Sequence, residues 1–303
     1  MFKKTLMALL LSTAASAFAL PLSSQHALVL EEDSGKVLVE KNSHDVVPIA
    51  SLTKLMTAMV VLDAKPDMNE MITIDESDVD TLKNSSSRVP VGAVLPRQSV
   101  LELALMSSDN RAAHALARTY PGGMPAFVSA VRAKIAALEM HQTNIEEPTG
   151  LSPHNRSTAA DLAKMAAAAS TYSEISRLTT GTEDLIDMNG RMVHYHNTNR
   201  LVGSNGWDIL LSKTGFTQEA GRCLVMRFQS AGKNMILVLL NAKATAARVL
   251  DAENIQRYVN GEPLYAAKAA PRRVAHRTRS AKSGIMLVKT KGSIKHSKKR
   301  RTV

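Results

Sequence analysis

The sequence predicts an α+β protein, an antiparallel sheet flanked by helices with a mainly helical subdomain inserted into it. Three observations predict this. Two apolar runs around a tight turn open the chain, helical patterns fill its middle, and three strand-like runs with a last amphipathic helix close it. If the opening hairpin joins the closing strands, one sheet is built from both ends of the chain, and everything between is an insertion.

The first residues stand apart from this plan. Lys3 and Lys4 precede an apolar run from Leu6 to Leu11 and small residues ending in Ala17-Phe18-Ala19, the pattern of a secretory signal peptide. No later stretch approaches the roughly 20 apolar residues of a membrane-spanning helix. The expected product therefore starts near Leu20 and works outside the cytoplasm, in the periplasm or cell envelope.

"HALVLEEDSGKVLVEKN" turns at Asp33-Ser34-Gly35 and reads as a β-hairpin. Pro48 then introduces a helix, "SLTKLMTAMVVLDA", that is apolar nearly all round and so expected to be buried. From 63 to 185 helical signals dominate. Helices are expected near 98–106 and 109–119, over "MPAFVSAVRAKIAALEM", and over "STAADLAKMAAAAS", where Ser157 or Thr158 supplies the N-cap. "EEPTGLSPHNRST", rich in Pro, Gly and Asn, is a loop. "WDILLSKTG", "GRCLVMRFQ" and "NMILVLLNA" are the closing strands, and "ATAARVLDAENIQRYV" is the final helix.

Charge divides the chain further. The 303 residues carry a formal net charge of +11, but no acidic residue follows Glu262, and thirteen Lys and Arg residues do. Removing those thirteen leaves residues 1–262 at −2, so the body is mildly acidic and the basic character belongs to its tail. The expected organisation is a signal peptide (1–19), a folded domain (20–262, with the helical subdomain at about 63–185) and a basic, disordered tail (263–303). A single cysteine, Cys223, excludes an intrachain disulfide. In its strand-like setting it reads as a small buried hydrophobe.

One residue breaks the pattern of the buried helix. Lys54 lies three positions after Ser51, on the same helical face. Two readings are open. The lysine can snorkel to the surface, or burial can strip its proton and make it a base for the Ser51 hydroxyl. A second S-x-x-K pattern, Ser230 to Lys233, falls in an expected hairpin turn and reads as structural. Two other clusters matter. Ser108-Asp109-Asn110 sits at a helix start, where Asp109 or Ser108 also makes a good cap, and Lys213-Thr214-Gly215 ends an apolar strand.

The three clusters occur in the order S-x-x-K, S-x-N, K-T-G, each on a fitting element, and on these motifs the sequence resembles the penicillin-recognising serine acyltransferases. Within them it is similar to the low-molecular-mass D,D-peptidases of the penicillin-binding protein 7 type, the D-alanyl-D-alanine endopeptidases. The resemblance covers roughly residues 22–260 and includes the "EEPTGLS" loop and "HNTNRLVGSNGWDILLSKTGFTQEAGRC". It implies a β-lactamase/transpeptidase-like fold with Ser51 as nucleophile, Lys54 as general base and Ser108 as the proton relay to the leaving amine. It also implies that Lys213 polarises that relay and that Asn110 and Thr214 bind substrate. Gly215 would let the strand backbone lie close to the substrate, and the backbone N–H groups of Ser51 and Phe216 would form the oxyanion hole.

The implied substrate is the peptide of peptidoglycan, with β-lactams as covalent inhibitors and no cofactor. A D-alanyl-D-alanine carboxypeptidase would use the same residues. A non-catalytic envelope-binding protein working through the basic tail is the reading from a different class. That tail suits anionic envelope surfaces, and the export signal argues against nucleic acid. His194 and His196 raise the question of a metal, but no helix-spaced partner accompanies them, so no metal is expected.

Overall fold

The computed structural model describes residues 20–265. The expected signal peptide lies outside these residues, as does the basic tail from 266 onward. The chain begins with β1 (His26–Glu31) and β2 (Val37–Lys41), the predicted hairpin, followed by the short β3 (Val47–Pro48). A 3-10 turn, Ala50–Leu52, leads into α1 (Thr53–Asp63). The middle holds β4 (Met71–Thr73), β5 (Val94–Pro96), α2 (Arg97–Leu105), α3 (Asn110–Arg118), α4 (Gly123–Ala137), β6 (Arg156–Ser157), α5 (Ala159–Ala169) and α6 (Ser173–Thr180). A second hairpin, β7 (Glu183–Met188) and β8 (Arg191–His196), precedes the closing meander of β9 (Asp208–Thr217), β10 (Gly221–Ser230) and β11 (Lys233–Ala242), and α7 (Thr245–Val259) ends the order.

As predicted, the opening hairpin joins the closing strands. The main sheet has the order β2-β1-β11-β10-β9, antiparallel throughout, with β1 paired to β11 from His26 opposite Leu240 to Glu31 opposite Met235. Alternation along these strands feeds two cores. Leu28, Val225, Ile236 and Val238 pack with the apolar helix α1 and its neighbours α2, α3 and α5, while Ala27, Val29, Leu224 and Leu237 pack with Ala252 and Ile255 of α7. Each large side chain so buried contributes about 1.5–3 kcal/mol, and a one-residue slip in register would send every one of them to the wrong face. The register that keeps both cores filled also sets the height of Lys213-Thr214-Gly215 on the edge strand β9.

Local chemistry explains the helix starts. Thr158 caps α5 by accepting from Asp161 N at 3.0 Å, and Asp109 caps α3 by accepting from Ala112 N at 3.0 Å. Asp251 of α7 ties down the first described residues, accepting from Ser23 N at 2.9 Å and from Ser24 N and Oγ at 2.7 Å each.

Four features differ from the sequence reading. The segment 63–185 is not purely helical, since β4 pairs with β5, and β3 pairs with β6 inside the expected loop. The β7–β8 hairpin is absent from the sequence reading, although its turn has a sequence signal. Its turn is Asn189-Gly190 with both φ positive (55° and 87°), the conformation that favours Asn-Gly in two-residue hairpins. Ser230 is buried instead of solvated, donating to Asn260 Oδ1 at 2.6 Å, although Lys233 does sit at the surface, 2.9 Å from Glu31. Finally, Pro263–Tyr265 belong to the body. Asn254 of α7 accepts from Tyr265 N at 2.7 Å, and the Arg257 guanidinium lies 4.4 Å above the Tyr265 ring.

Candidate active site

Ser51 stands in the 3-10 turn, one step ahead of α1, where the sequence reading put it in the helix's first turn. Ala50 before it has φ +48°, so the chain turns sharply into the helix. The three-residue spacing still aligns the side chains. Lys54 Nζ is 3.0 Å from Ser51 Oγ, 2.7 Å from Asn110 Oδ1 and 2.7 Å from the Thr149 carbonyl oxygen. Lys54 does not snorkel, for only 1% of it is exposed.

Two of its three partners are amide oxygens, which can only accept. The third is a hydroxyl, which can also donate. A neutral amine therefore satisfies the whole set, giving its two protons to Asn110 and Thr149 and turning its lone pair to the Ser51 hydroxyl. Burial lowers the Lys54 pKa to about 8, against the opposing pull of Glu147, Asp109 and Asp80. Desolvation is the larger effect.

The loop that supplies Thr149 is organised by one carboxylate. Glu147 accepts from Thr149 N at 2.7 Å, Gly150 N at 2.6 Å and Asn155 Nδ2 at 3.0 Å. Asn155 O in turn accepts from Ile49 N at 3.1 Å, and Thr57 of α1 donates to Pro148 O at 2.7 Å. Loop and serine turn are thus locked together. At Gly150, φ is +85° and a Cβ would sit 2.0 Å from the Ala50 carbonyl oxygen and 2.8 Å from Ser51 N. No side chain fits there.

The second half of the site comes from the α2–α3 junction and β9. Ser108 has φ +60°, and its Oγ accepts from Lys213 Nζ at 2.8 Å. Asp109, read as a cap, is one, and it also accepts from Ser87 Oγ at 2.7 Å. Asn110 opens α3, with Nδ2 donating to Ser85 Oγ at 2.8 Å. Lys213 is buried, and its pKa lies well below the ordinary lysine value, first through desolvation, then through repulsion from Lys54 and Arg248. Lys213 also donates to Thr214 O at 3.1 Å, and Thr214 Oγ1 donates to Thr198 Oγ1 at 2.7 Å.

A Cβ at Gly215 would lie 3.1 Å from Ala50 Cβ, Ile49 O and Ser51 N. In the described fold this glycine therefore lets β9 approach the serine turn itself. Phe216 is half exposed beneath the Arg222 guanidinium, 3.5 Å from its ring centre. Cys223 is buried, with its thiol pushed up to about 11 by desolvation, so it is no nucleophile.

Six of the eight sequence-predicted residues form two contact networks, Ser51–Lys54–Asn110 and Ser108–Lys213–Thr214, and Gly215 and Phe216 continue the edge strand of the second. Sequence reasoning missed Ser85, Glu147, Thr149, Thr198 and Arg248, whose Nη1 donates to Cys223 O at 2.9 Å. Their contacts run through backbone groups, as at Glu147, Thr149 and Arg248, or join side chains far apart in sequence, as Ser85 with Asn110 and Thr198 with Thr214, and no short-range spacing announces them.

The Streptomyces K15 DD-transpeptidase crystal structure superimposes with a TM-score of 0.74 at 26% identity, over 79% of this chain and 98% of that one. The chain belongs to the D-alanyl-D-alanine carboxypeptidase family, peptidase S11, whose family model matches residues 12–244. A D-alanyl-D-alanine endopeptidase of Pseudomonas aeruginosa is 45% identical over 251 residues, 82% of this chain and 81% of that one. One from Escherichia coli is 41% identical over the same shares.

Proposed function

We propose that the chain is a serine D,D-endopeptidase that hydrolyses D-alanyl peptide cross-links of peptidoglycan through an acyl-enzyme on Ser51 and is inhibited by β-lactams. What carries this reading is the 3.0 Å contact between Ser51 Oγ and a buried Lys54 whose other two partners can only accept protons. In the proposed reaction Ser51 Oγ attacks the carbonyl after a D-residue and its proton passes to Lys54 Nζ. The oxyanion is held by the N–H groups of Ser51 and Phe216, a kind of donor whose loss costs about 3–4 kcal/mol of barrier. As the C–N bond breaks, the leaving amine takes a proton through Ser108, polarised by Lys213. Asn110 and Thr214 hold the substrate, and water then releases the acyl group from Ser51.

The preference for cross-links rests on the relatives named endopeptidase, which are 45%, 41% and 33% identical and are matched over 81–82% of their length. Carboxypeptidase action on a terminal D-alanine is the second reading, favoured by the family description and by relatives such as the 30%-identical carboxypeptidase DacF of Bacillus subtilis. Incubation with cross-linked muropeptide dimers and with monomeric pentapeptide separates the two. Dimers should be consumed first, and a benzylpenicillin adduct should map to the peptide containing Ser51. Rapid loss of the terminal residue with dimers untouched would favour the carboxypeptidase, and an adduct on another serine would sink both readings.

Export to the periplasm is part of this proposal, supported by the leader pattern of residues 1–19. Among the described residues no helix is long and apolar enough to cross a membrane. The thirteen positive charges after Glu262 are proposed to contact anionic envelope surfaces, an attraction that salt screens within about 10 Å at 0.1 M. Because α7 holds Tyr265, the informative deletion starts at 266. It should leave turnover on soluble substrate intact and lower retention on envelope material at low ionic strength. Retention unaltered at every salt concentration would remove the tethering role.

A further inference from the structure

We propose that the β7–β8 hairpin carries a zinc-binding site formed by Glu183, His194 and His196. Strand geometry assembles it. His194 and His196 stand two apart on β8 and so share a face, while Tyr195 between them turns the opposite way into the core. Glu183 pairs directly with His196 across the ladder and lies diagonal to His194.

His194 Nε2 and His196 Nδ1 point at the same oxygen, Glu183 Oε2, at 3.1 and 3.2 Å. The ligand atoms of the three residues all lie within 4.8 Å of one another. Tetrahedral zinc with ligands at 2.0–2.1 Å spaces them roughly 3.3 Å apart, and imidazole with carboxylate is a common zinc donor set.

Ordinary surface pairing accounts poorly for this arrangement. One histidine is enough to pair with an exposed carboxylate, and such a pair is worth at most about 1 kcal/mol. Here two imidazoles, with ring centres 4.2 Å apart and planes tilted by 51°, converge on one oxygen. Two imidazole nitrogens and a carboxylate oxygen so placed offer a cation three convergent donors.

The backbone beneath them is fixed, which is what a metal site needs. Tyr195 is buried under the Arg88 guanidinium, 4.2 Å from its ring centre, and Arg88 Nη1 donates to His194 O at 2.8 Å. Asn197 closes the hairpin base, its N donating to Thr182 O and its Nδ2 to Gly181 O, both at 2.8 Å. Helix spacing cannot reveal such a site, because its third ligand comes from the neighbouring strand.

Three protein ligands leave a fourth position open. His196 also lines the groove that contains Arg88, Ser108, Asp109 and Tyr195. That open position is left to water or to a donor atom of an approaching molecule. The site takes no part in the proton transfers proposed for Ser51 and Lys54.

The test uses the full chain without an affinity tag. Equilibrium dialysis against Zn2+ should find one ion bound per chain, and Co2+ in its place should develop a visible d–d absorption. His194→Gln and His196→Gln should each weaken binding about 10-fold or more. A His276→Gln/His296→Gln variant, which removes the imidazoles of the basic tail, should keep it. The three hairpin residues are exposed, so circular dichroism and Tm should be unaltered in zinc-free buffer. No zinc bound by the parent chain, or hairpin variants that bind as tightly as the parent, would overturn the proposal.

Discussion

Lys54→Arg should reduce acylation by benzylpenicillin at least about 1,000-fold while leaving a folded protein, because it removes the base without removing the cation. Arginine stays protonated at any working pH and offers no lone pair. The parent enzyme should show an ascending limb in the pH profile of its acylation rate, levelling near the Lys54 value of about 8. At pH 7 a group with that pKa is neutral in about one molecule in ten, so the rate should rise about tenfold toward its plateau. The limb should vanish in the variant.

The same shift fixes the sign of a stability effect. Unfolded, Lys54 keeps its proton to 10.5, and folded it loses it at about 8. The native state therefore binds fewer protons between these values, and this group's contribution to stability grows as pH rises from about 8 to 10.5. Below 8 both states are charged and the cost of burying the ammonium is constant. Stopped-flow acylation from pH 5.5 to 9.5, with circular dichroism on the same samples, checks both. An arginine variant that acylates at the parental rate would end the assignment of Lys54 as base.

How much of this arrangement is legible in the sequence depends on how local each contact is. Ser51 and Lys54 are three residues apart, and helix geometry alone predicts their meeting. Ser108 and Lys213 are 105 residues apart. Only the order of three clusters joins them, and alternation in β9 and β10 then places Lys213 opposite Val225. The sheet is legible for the same reason, since strands of period two with turns between them admit few arrangements.

Glu147 is illegible. It looks like a surface acid in a polar loop, and its work is done on backbone N–H groups that no side-chain pattern encodes. The docking of Tyr265 is hidden likewise in one asparagine of α7. The β7–β8 hairpin lies between these extremes: Asn189-Gly190 marks its turn in the sequence, while its charged exposed face masks the alternation of Ile186, Met188 and Tyr195 beneath it.

The loop's importance can be measured at Gly150. Gly150→Ala should be far more damaging than an alanine at any exposed turn glycine, and two effects separate in the comparison. At Gly35, φ is +68° and nothing lies within 4 Å of an added Cβ, so Gly35→Ala isolates backbone strain, about 1–2 kcal/mol. At Gly150 the strain is similar, with φ +85°, but the added methyl would stand 2.0 Å from Ala50 O and 2.3 Å from Ala50 C. These are backbone atoms of the turn that carries Ser51, so relief requires moving that turn or the Glu147 loop.

If the loop moves, Thr149 O leaves Lys54, and the buried amine loses an acceptor that it cannot replace with water. If the turn moves, Ser51 N–H and Oγ move with it. Either way the total should exceed the strain by about 2–3 kcal/mol in urea-derived stability. Acylation should fall at least 100-fold, since a displacement near 1 Å at reacting groups costs that much. Glycine at 150 is then required by the shape of the active-site floor, beyond any demand of its own φ. Equal effects at Gly35 and Gly150, or an alanine at 150 that keeps parental acylation, would refute the claim that this loop and the serine turn are one rigid unit.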